Sequence, residues 1–254
     1  MSAAHDEDAA LTRLTEEGTR PDRGGLVVRY GSHPDQCWEA YGPEDGDAPL
    51  VLVHGGYFRP GIDRTHARPM ARALADAGRW VLLLEYRRVP GDPGATTADL
   101  RAAETRLRAD GDPADLADLT WVGHSAGGAL VLWRVLQPGL PPVRAVALAP
   151  VGDLARAAAE RLGDGAVTDW IGGPPRPAGD DALDPTRLLA AHPDPEEVLA
   201  RTAVLHGDVD GMVPLTQSAP FAASRTVLPG AHHVDVVDPA SPHWPAVLAA
   251  VSRR

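Results

Sequence analysis

One serine in this chain has neighbours that could make it a nucleophile. It is Ser125, in Gly123-His124-Ser125-Ala126-Gly127, followed by Gly128. The pattern G-x-S-x-G marks a tight turn from a strand into a helix, where the serine backbone is strained and a Cβ two residues away would clash. Such a turn lifts the hydroxyl clear of a sheet and points the helix N-terminus, with the Ala126 N–H, at any developing oxyanion. Upstream, His54-Gly55-Gly56-Tyr57 closes another apolar run. Its glycines let backbone N–H groups approach a substrate oxygen, so Gly55 and Gly56 are the expected partners of Ala126 in an oxyanion hole.

A serine is a poor nucleophile without a base, and the base needs an orienting acid. In the strand–turn–helix arrangement the order along the chain is serine, acid, histidine. Two acids lie in His206-Gly207-Asp208-Val209-Asp210. Asp210, four residues past His206, is favoured, and Asp208 reads as a turn residue bonding backbone N–H groups. The base lies in Pro229-Gly230-Ala231-His232-His233-Val234-Asp235, where only one of two adjacent histidines can face the serine. No further His, Cys or Asp spacing turns this pair into a metal site, so no metal is expected. His5, His33, His66, His192 and His243 read as surface or packing residues, and His54, His124 and His206 as local hydrogen-bonding companions.

The elements that must hold these groups follow from apolar patterning. Short strand-like runs at Leu26–Tyr30 and Cys37–Tyr41 flank a Gly31-Ser32-His33-Pro34 turn and predict an antiparallel hairpin. Leu50–His54 and Trp80–Glu85 read as buried strands, and Leu119–His124, Val143–Ala149, Thr202–His206 and Arg225–Leu228 as the strands that follow. Helical spacing falls between them at Thr65–Ala77, Ala98–Arg108, Ala126–Leu136, near Asp153–Leu162, and at Pro242–Val251. Together these predict one α/β domain, a mostly parallel eight-stranded sheet flanked by helices. Residues 163–184, rich in Gly and Pro, read as an irregular lid-like insertion, with Trp170 packing inside it. Residues 1–24 are a polar lead, frayed or a short surface helix.

Composition removes whole classes of function. Of 254 residues, 35 are acidic and 24 basic, every basic one arginine, for a net charge of −11. Without a basic cluster, nucleic-acid binding is not expected. Without lysine there is no P-loop lysine, Schiff base or pyridoxal anchor, and no cofactor is expected. The single cysteine, Cys37, fits a reducing compartment. The acidic first 20 residues lack the apolar core of a signal peptide, and no apolar run approaches a membrane span, so a cytoplasmic protein is the expectation. Glycine (26) and proline (25) together make about a fifth of the chain, while 44 % hydrophobic residues with six tryptophans predict a packed core.

The motifs together resemble the α/β-hydrolase superfamily from about Val51 to Trp244, and within it the arylformamidase (kynurenine formamidase) and small carboxylesterase group. The likeness is carried by His54-Gly55-Gly56-Tyr57-Phe58-Arg59, Glu85-Tyr86-Arg87-Arg88, the Ser125 turn, His206-Gly207 with Asp210 and Val213-Pro214, and His233-Val234-Asp235. Phe58 stands where that group has tryptophan, and the closing segment selects His233 over His232. The resemblance implies Ser125 as nucleophile, His233 as base and Asp210 as its partner. It implies a small acyl group on an aromatic amine, with N-formylkynurenine the leading substrate and short-chain esters the alternative. A hydrolase-fold binding protein is a third reading, and a homodimer is compatible with all three. Tyr57 and Phe58 are candidate pocket residues. Arg87, with Arg88, either pairs with a substrate carboxylate or ties down its own loop.

Overall fold

The computed structural model describes residues 3–20, 24–43, 49–111, 116, 119–174 and 181–252. The chain opens with α1 (Ala3–Gly18), then β1 (Leu26–Arg29), β2 (Cys37–Tyr41) and β3 (Leu50–Val53). There follow α2 (Arg68–Asp76), β4 (Val81–Leu84), α3 (Pro93–Asp110), β5 (Thr120–His124), α4 (Ala126–Val135) and β6 (Arg144–Leu148). Four short helices come next: α5 (Leu154–Ala159), α6 (Leu162–Ile171), α7 (Pro185–Ala191) and α8 (Pro195–Ala200). The chain then closes with β7 (Thr202–Gly207), β8 (Arg225–Leu228) and α9 (Trp244–Ser252).

The eight strands form one sheet in the order β1-β2-β4-β3-β5-β6-β7-β8. The hairpin β1–β2 joins β4 antiparallel, and all pairings from β4 through β8 are parallel. Period-two alternation splits each central strand between two cores. Val51, Val53, Leu82 and Leu84 face the layer of α3 to α8, and Leu50, Leu52, Val81 and Leu83 face α1, α2 and α9. Both faces are covered, which is why these strands read as continuous apolar runs. In sequence β3 is followed by β4 on one side of it and then by β5 on the other, so the order of strand addition reverses between β3 and β5. The crevice at such a reversal, at the carboxyl ends of the strands, is where ligands bind in open α/β sheets.

Several elements differ from the sequence expectation for local reasons. The helix expected at 65–77 is a 3-10 turn, Arg64–Ala67, followed by α2, with Pro69 in the first turn of α2. Helix α3 begins at Pro93 because Asp92 caps it, accepting from the Ala95 N–H at 3.1 Å. The same Asp-Pro device starts α7 at Asp184-Pro185 and α8 at Asp194-Pro195, two helices that apolar spacing alone does not mark. The stretch read as an irregular lid is helical from Ala166 through Ile171. Arg161, Gly163, Asp164 and Gly165 all take positive φ, and the chain beyond them buries Ala166, Val167, Trp170 and Ile171. The second half of the densest Pro run, Gly172–Pro177, lies outside the described residues.

Helix α1 settles the reading of the lead as a docked helix. Leu14 is fully buried, Arg13 pairs with Asp238, and Arg72 Nη1 donates to the Glu17 carbonyl at 2.9 Å. Among the described residues no helix is long and apolar enough to cross a membrane.

Candidate active site

Ser125 stands at the carboxyl end of β5 with φ 55° and ψ −118°, a conformation that costs a non-glycine residue about 1–3 kcal/mol. The fold holds it there by close packing. A Cβ on Gly123 would lie 2.2 Å from the Gly127 carbonyl oxygen, and one on Gly127 would lie 2.2 Å from that of Val53. The Ser125 N–H donates to the Leu148 carbonyl at 2.9 Å, and the Ser125 carbonyl accepts from Ala129 and Val151. Helix α4 begins at Ala126, so the Ala126 N–H is one of its unpaired first-turn donors.

The His54–Gly55–Gly56 loop lies beside this turn, at the end of β3. A Cβ on Gly55 would come within 3.0 Å of Ser125 Cβ. Gly56 has φ 122°, and Tyr57 and Phe58 follow at φ 55° and 56°, so the loop coils tightly. A buried polar network fixes it. His54 Nε2 meets Glu85 Oε1 at 3.1 Å, the Tyr86 hydroxyl donates to the His54 carbonyl at 2.8 Å, and Arg88 also binds Glu85. On its other oxygen Glu85 accepts from the Arg64 side chain and backbone, at 3.1 and 3.0 Å. Burial opposes ionisation of Glu85, yet the charges of His54 and Arg88 hold its carboxyl well below the usual range. Motif reading quoted Glu85 without giving it a role; its signal was an acid at a buried strand end, followed by two arginines.

The candidate acid and the candidate base meet in the loops that follow β7 and β8. His233 Nδ1 lies 2.8 Å from Asp210 Oδ2, and both side chains are buried. Asp210 Oδ1 accepts from the N–H groups of Met212 and Val213, at 3.0 and 2.7 Å, and His206 Nε2 lies 3.3 Å from Oδ2. Burial pushes the Asp210 carboxyl up, but the His233 charge and the bonds from His206, His233 and Val213 outweigh it and hold the carboxyl well below its ordinary value. The neighbouring candidates are engaged elsewhere. Asp208 Oδ1 accepts from the Gly230 N–H at 2.7 Å, and the half-exposed His232 has Nδ1 3.2 Å from the Val209 carbonyl. The base loop presses on the serine turn: His124 Nε2 is 3.1 Å from the His233 carbonyl, and their ring centroids are 4.5 Å apart. A carboxylate-braced imidazole whose loop packs against the serine turn is the arrangement that lets a serine lose its proton during attack on a carbonyl, with backbone N–H donors holding the oxyanion.

Residues 50–208 match the alpha/beta hydrolase fold family. The chain belongs to that family. It is 34 % identical over 200 residues to an acetyl-hydrolase of Streptomyces hygroscopicus, an alignment covering 75 % of this chain and 62 % of the relative. It is 32 % identical over 205 residues to an uncharacterized protein of Mycobacterium tuberculosis, covering 75 % of this chain and 64 % of the relative. The chain thus spans less than two thirds of the length of these relatives. Among solved structures, esterase B of Lactobacillus rhamnosis superposes with a TM-score of 0.71 at 21 % identity, covering 98 % of this chain and 89 % of the esterase.

The structure places the candidate substrate-binding residues in different surroundings. Arg87 is committed to Asp99 of α3, with Nη2 2.6 Å from Oδ1 and Nε 2.9 Å from Oδ2, so it ties down its loop and is not free for a substrate carboxylate. Replacing Arg87 by alanine is expected to cost about 1–3 kcal/mol in urea unfolding by leaving buried Asp99 short of a partner, with KM unchanged within about twofold. Arg88 is buried against Glu85 and the Tyr86 carbonyl. Phe58 is buried and stacks on Trp170, centroids 4.1 Å apart and planes 8° apart, so it joins the loop after β3 to α6. Tyr57 is half-buried against Gly163, and burial together with the charges of Asp210 and Glu7 pushes its hydroxyl up to about 12. Tyr57 is therefore the less buried of the two candidate pocket aromatics.

His66, edge-on to His54 with centroids 5.8 Å apart, gives the site a pH signature. Burial, then the His54 charge, lowers its pKa to about 4. The unfolded chain takes up this proton near pH 6.5 and the folded one only near pH 4, so stability is complete above about 6.5 and falls as pH drops towards 4. The expected loss is about 3 kcal/mol across that window, and a His66→Gln variant should show a flatter profile in chemical denaturation between pH 4 and 6.5.

Proposed function

We propose that this protein is a serine esterase that cleaves short acyl esters through an acyl-enzyme. Ser125 Oγ attacks the ester carbonyl carbon while His233 takes the hydroxyl proton. Asp210 holds the imidazole by its Nδ1–H and stabilises the imidazolium. The tetrahedral oxyanion is held by the N–H groups of Ala126 and of Gly55 or Gly56. As the C–O bond breaks, His233 returns the proton to the leaving alcohol. Water, deprotonated by the same imidazole, then attacks the acyl-enzyme and releases the acid and Ser125. The observation that carries this reading is the buried Asp210–His233 pair at 2.8 Å, packed against the strained Ser125 turn.

The same machinery would cleave an aryl formamide, the substrate that the motif resemblance implies. The relatives support the ester instead, one being named an acetyl-hydrolase and another esterase B. The loss of Arg87 as a free carboxylate binder also weakens the case for an amino-acid substrate. Parallel assays should therefore give a kcat/KM for p-nitrophenyl acetate at least about 100-fold above that for N-formylkynurenine. The reverse preference would restore the formamidase reading.

A further inference from the structure

A carboxylate far from the site in sequence reaches it from helix α1. Glu7 is 1 % exposed. Its Oε1 accepts from the His233 N–H at 2.8 Å and from the Gly211 N–H at 3.1 Å, and lies 3.7 Å from His232 Nδ1. Its Oε2 is buried with no hydrogen-bond partner among the described residues. One side chain thus bonds the loop of the acid and the loop of the base at once. Helix α1 is held from behind by Leu14, by Arg13 on Asp238, and by Arg68 and Arg72 on the Gly18 and Glu17 carbonyls.

We propose that Glu7 is a positioning residue for the base: it fixes the His233 backbone against the acid loop, and its charge favours the imidazolium that forms as Ser125 attacks. The inference rests on the serine-esterase reading above. A buried carboxylate with one oxygen unbonded is costly to keep unless a positive charge is near. The imidazole of His233 is the group that becomes positive during the proposed reaction. Around His233 stand Asp210 from the β7 loop, His124 from the serine turn, Glu7 from α1, and His232 and Asp235 from its own loop. Tyr57, from the oxyanion loop, feels the charges of both Asp210 and Glu7. Glu7 and Asp210 are therefore two carboxylates approaching the His233 loop from different elements, one through its backbone and one through its ring.

Charge and stapling separate by substitution. Glu7→Gln keeps an oxygen for both N–H groups and loses the charge. It should lower kcat for p-nitrophenyl acetate about tenfold with KM unchanged within about twofold. With less negative charge nearby, the imidazolium loses its proton at lower pH, so the acid limb of kcat/KM should move down by about one pH unit. Glu7→Ala also removes both bonds and should lower kcat further, together with the melting temperature. A Glu7→Gln enzyme matching wild type in kcat and acid limb would overturn the proposal, whether or not Glu7→Ala folds. A folded wild type that neither turns over p-nitrophenyl acetate nor reacts with a fluorophosphonate would overturn the esterase reading and this proposal with it. An active wild type with an unchanged Gln variant would overturn this proposal alone.

Discussion

Ser125→Ala is expected to lower kcat/KM for p-nitrophenyl acetate by about 10⁵-fold, the largest effect of any single substitution in the protein. The alanine takes away the attacking oxygen and leaves untouched the features that impose the turn: the contacts across Gly123 and Gly127, and the Ser125 N–H bond to Leu148. Because those backbone contacts set φ 55° at this position, the variant should fold normally. Its melting temperature, by circular dichroism, should stay within about 3 °C of wild type. What activity remains would come from the oxyanion donors and from substrate positioning, which the substitution does not touch. A variant retaining more than about a tenth of wild-type turnover would remove Ser125 from the chemistry.

Asp210→Asn comes second, with an expected loss of about 10⁴-fold in kcat and a smaller effect on KM. The amide nearly preserves the shape of the carboxylate but cannot stabilise an imidazolium, and through its NH₂ it can favour the wrong tautomer of His233. The substitution also acts on stability, because the Asp210 carboxyl is held below its ordinary range in the folded protein. That stabilisation is fully present above the usual aspartate pKa of about 3.9 and is lost as pH falls below it. The Asn variant should therefore be less stable than wild type at neutral pH by about 3 kcal/mol, with the gap narrowing in acid. Stopped-flow kinetics with urea unfolding at pH 7 and at pH 3 would measure both effects. Equal activity would mean that His233 does not depend on this carboxylate.

How much of the site could be read in advance depended on how local each constraint is. The Ser125 turn is legible because its requirement is steric and confined to five residues: Gly123 and Gly127 are glycines because a carbonyl oxygen occupies the space of a Cβ. The oxyanion loop is legible for a similar reason, although the consecutive left-handed Tyr57 and Phe58 could not be foreseen, since neither residue type prefers that conformation. The parallel strands β3 to β7 were visible as apolar runs because helices bury both of their faces, whereas the edge strand β8 leaves Thr226 and Val227 exposed. Choosing Asp210 over Asp208 is harder, since both follow the same strand. What divides them is the destination of each carboxylate, His233 for one and the Gly230 N–H for the other, and that is a tertiary fact.

What stayed open or hidden in the sequence has the same origin. Arg87 could be read either as a substrate binder or as a tie for its own loop because its partner, Asp99, lies twelve residues away inside a helix, with nothing in the local sequence to link them. Glu7 was one acid among several in a polar lead, and only docking of α1 brings it to His233, 226 residues further along the chain. Proline invited the opposite error. Its abundance suggested breaks, yet at Asp92-Pro93, Asp184-Pro185 and Asp194-Pro195 it starts helices, where a missing N–H costs nothing.

Intact-mass analysis after treatment with a fluorophosphonate at neutral pH tests the nucleophile most directly. The expected result is one adduct per wild-type chain, mapped by peptide sequencing to Ser125, with parallel loss of esterase activity and no adduct on Ser125→Ala. A folded wild-type protein that stays unmodified, or that carries its adduct on another residue, would contradict the assignment of Ser125, His233 and Asp210 as the acyl-transfer machinery.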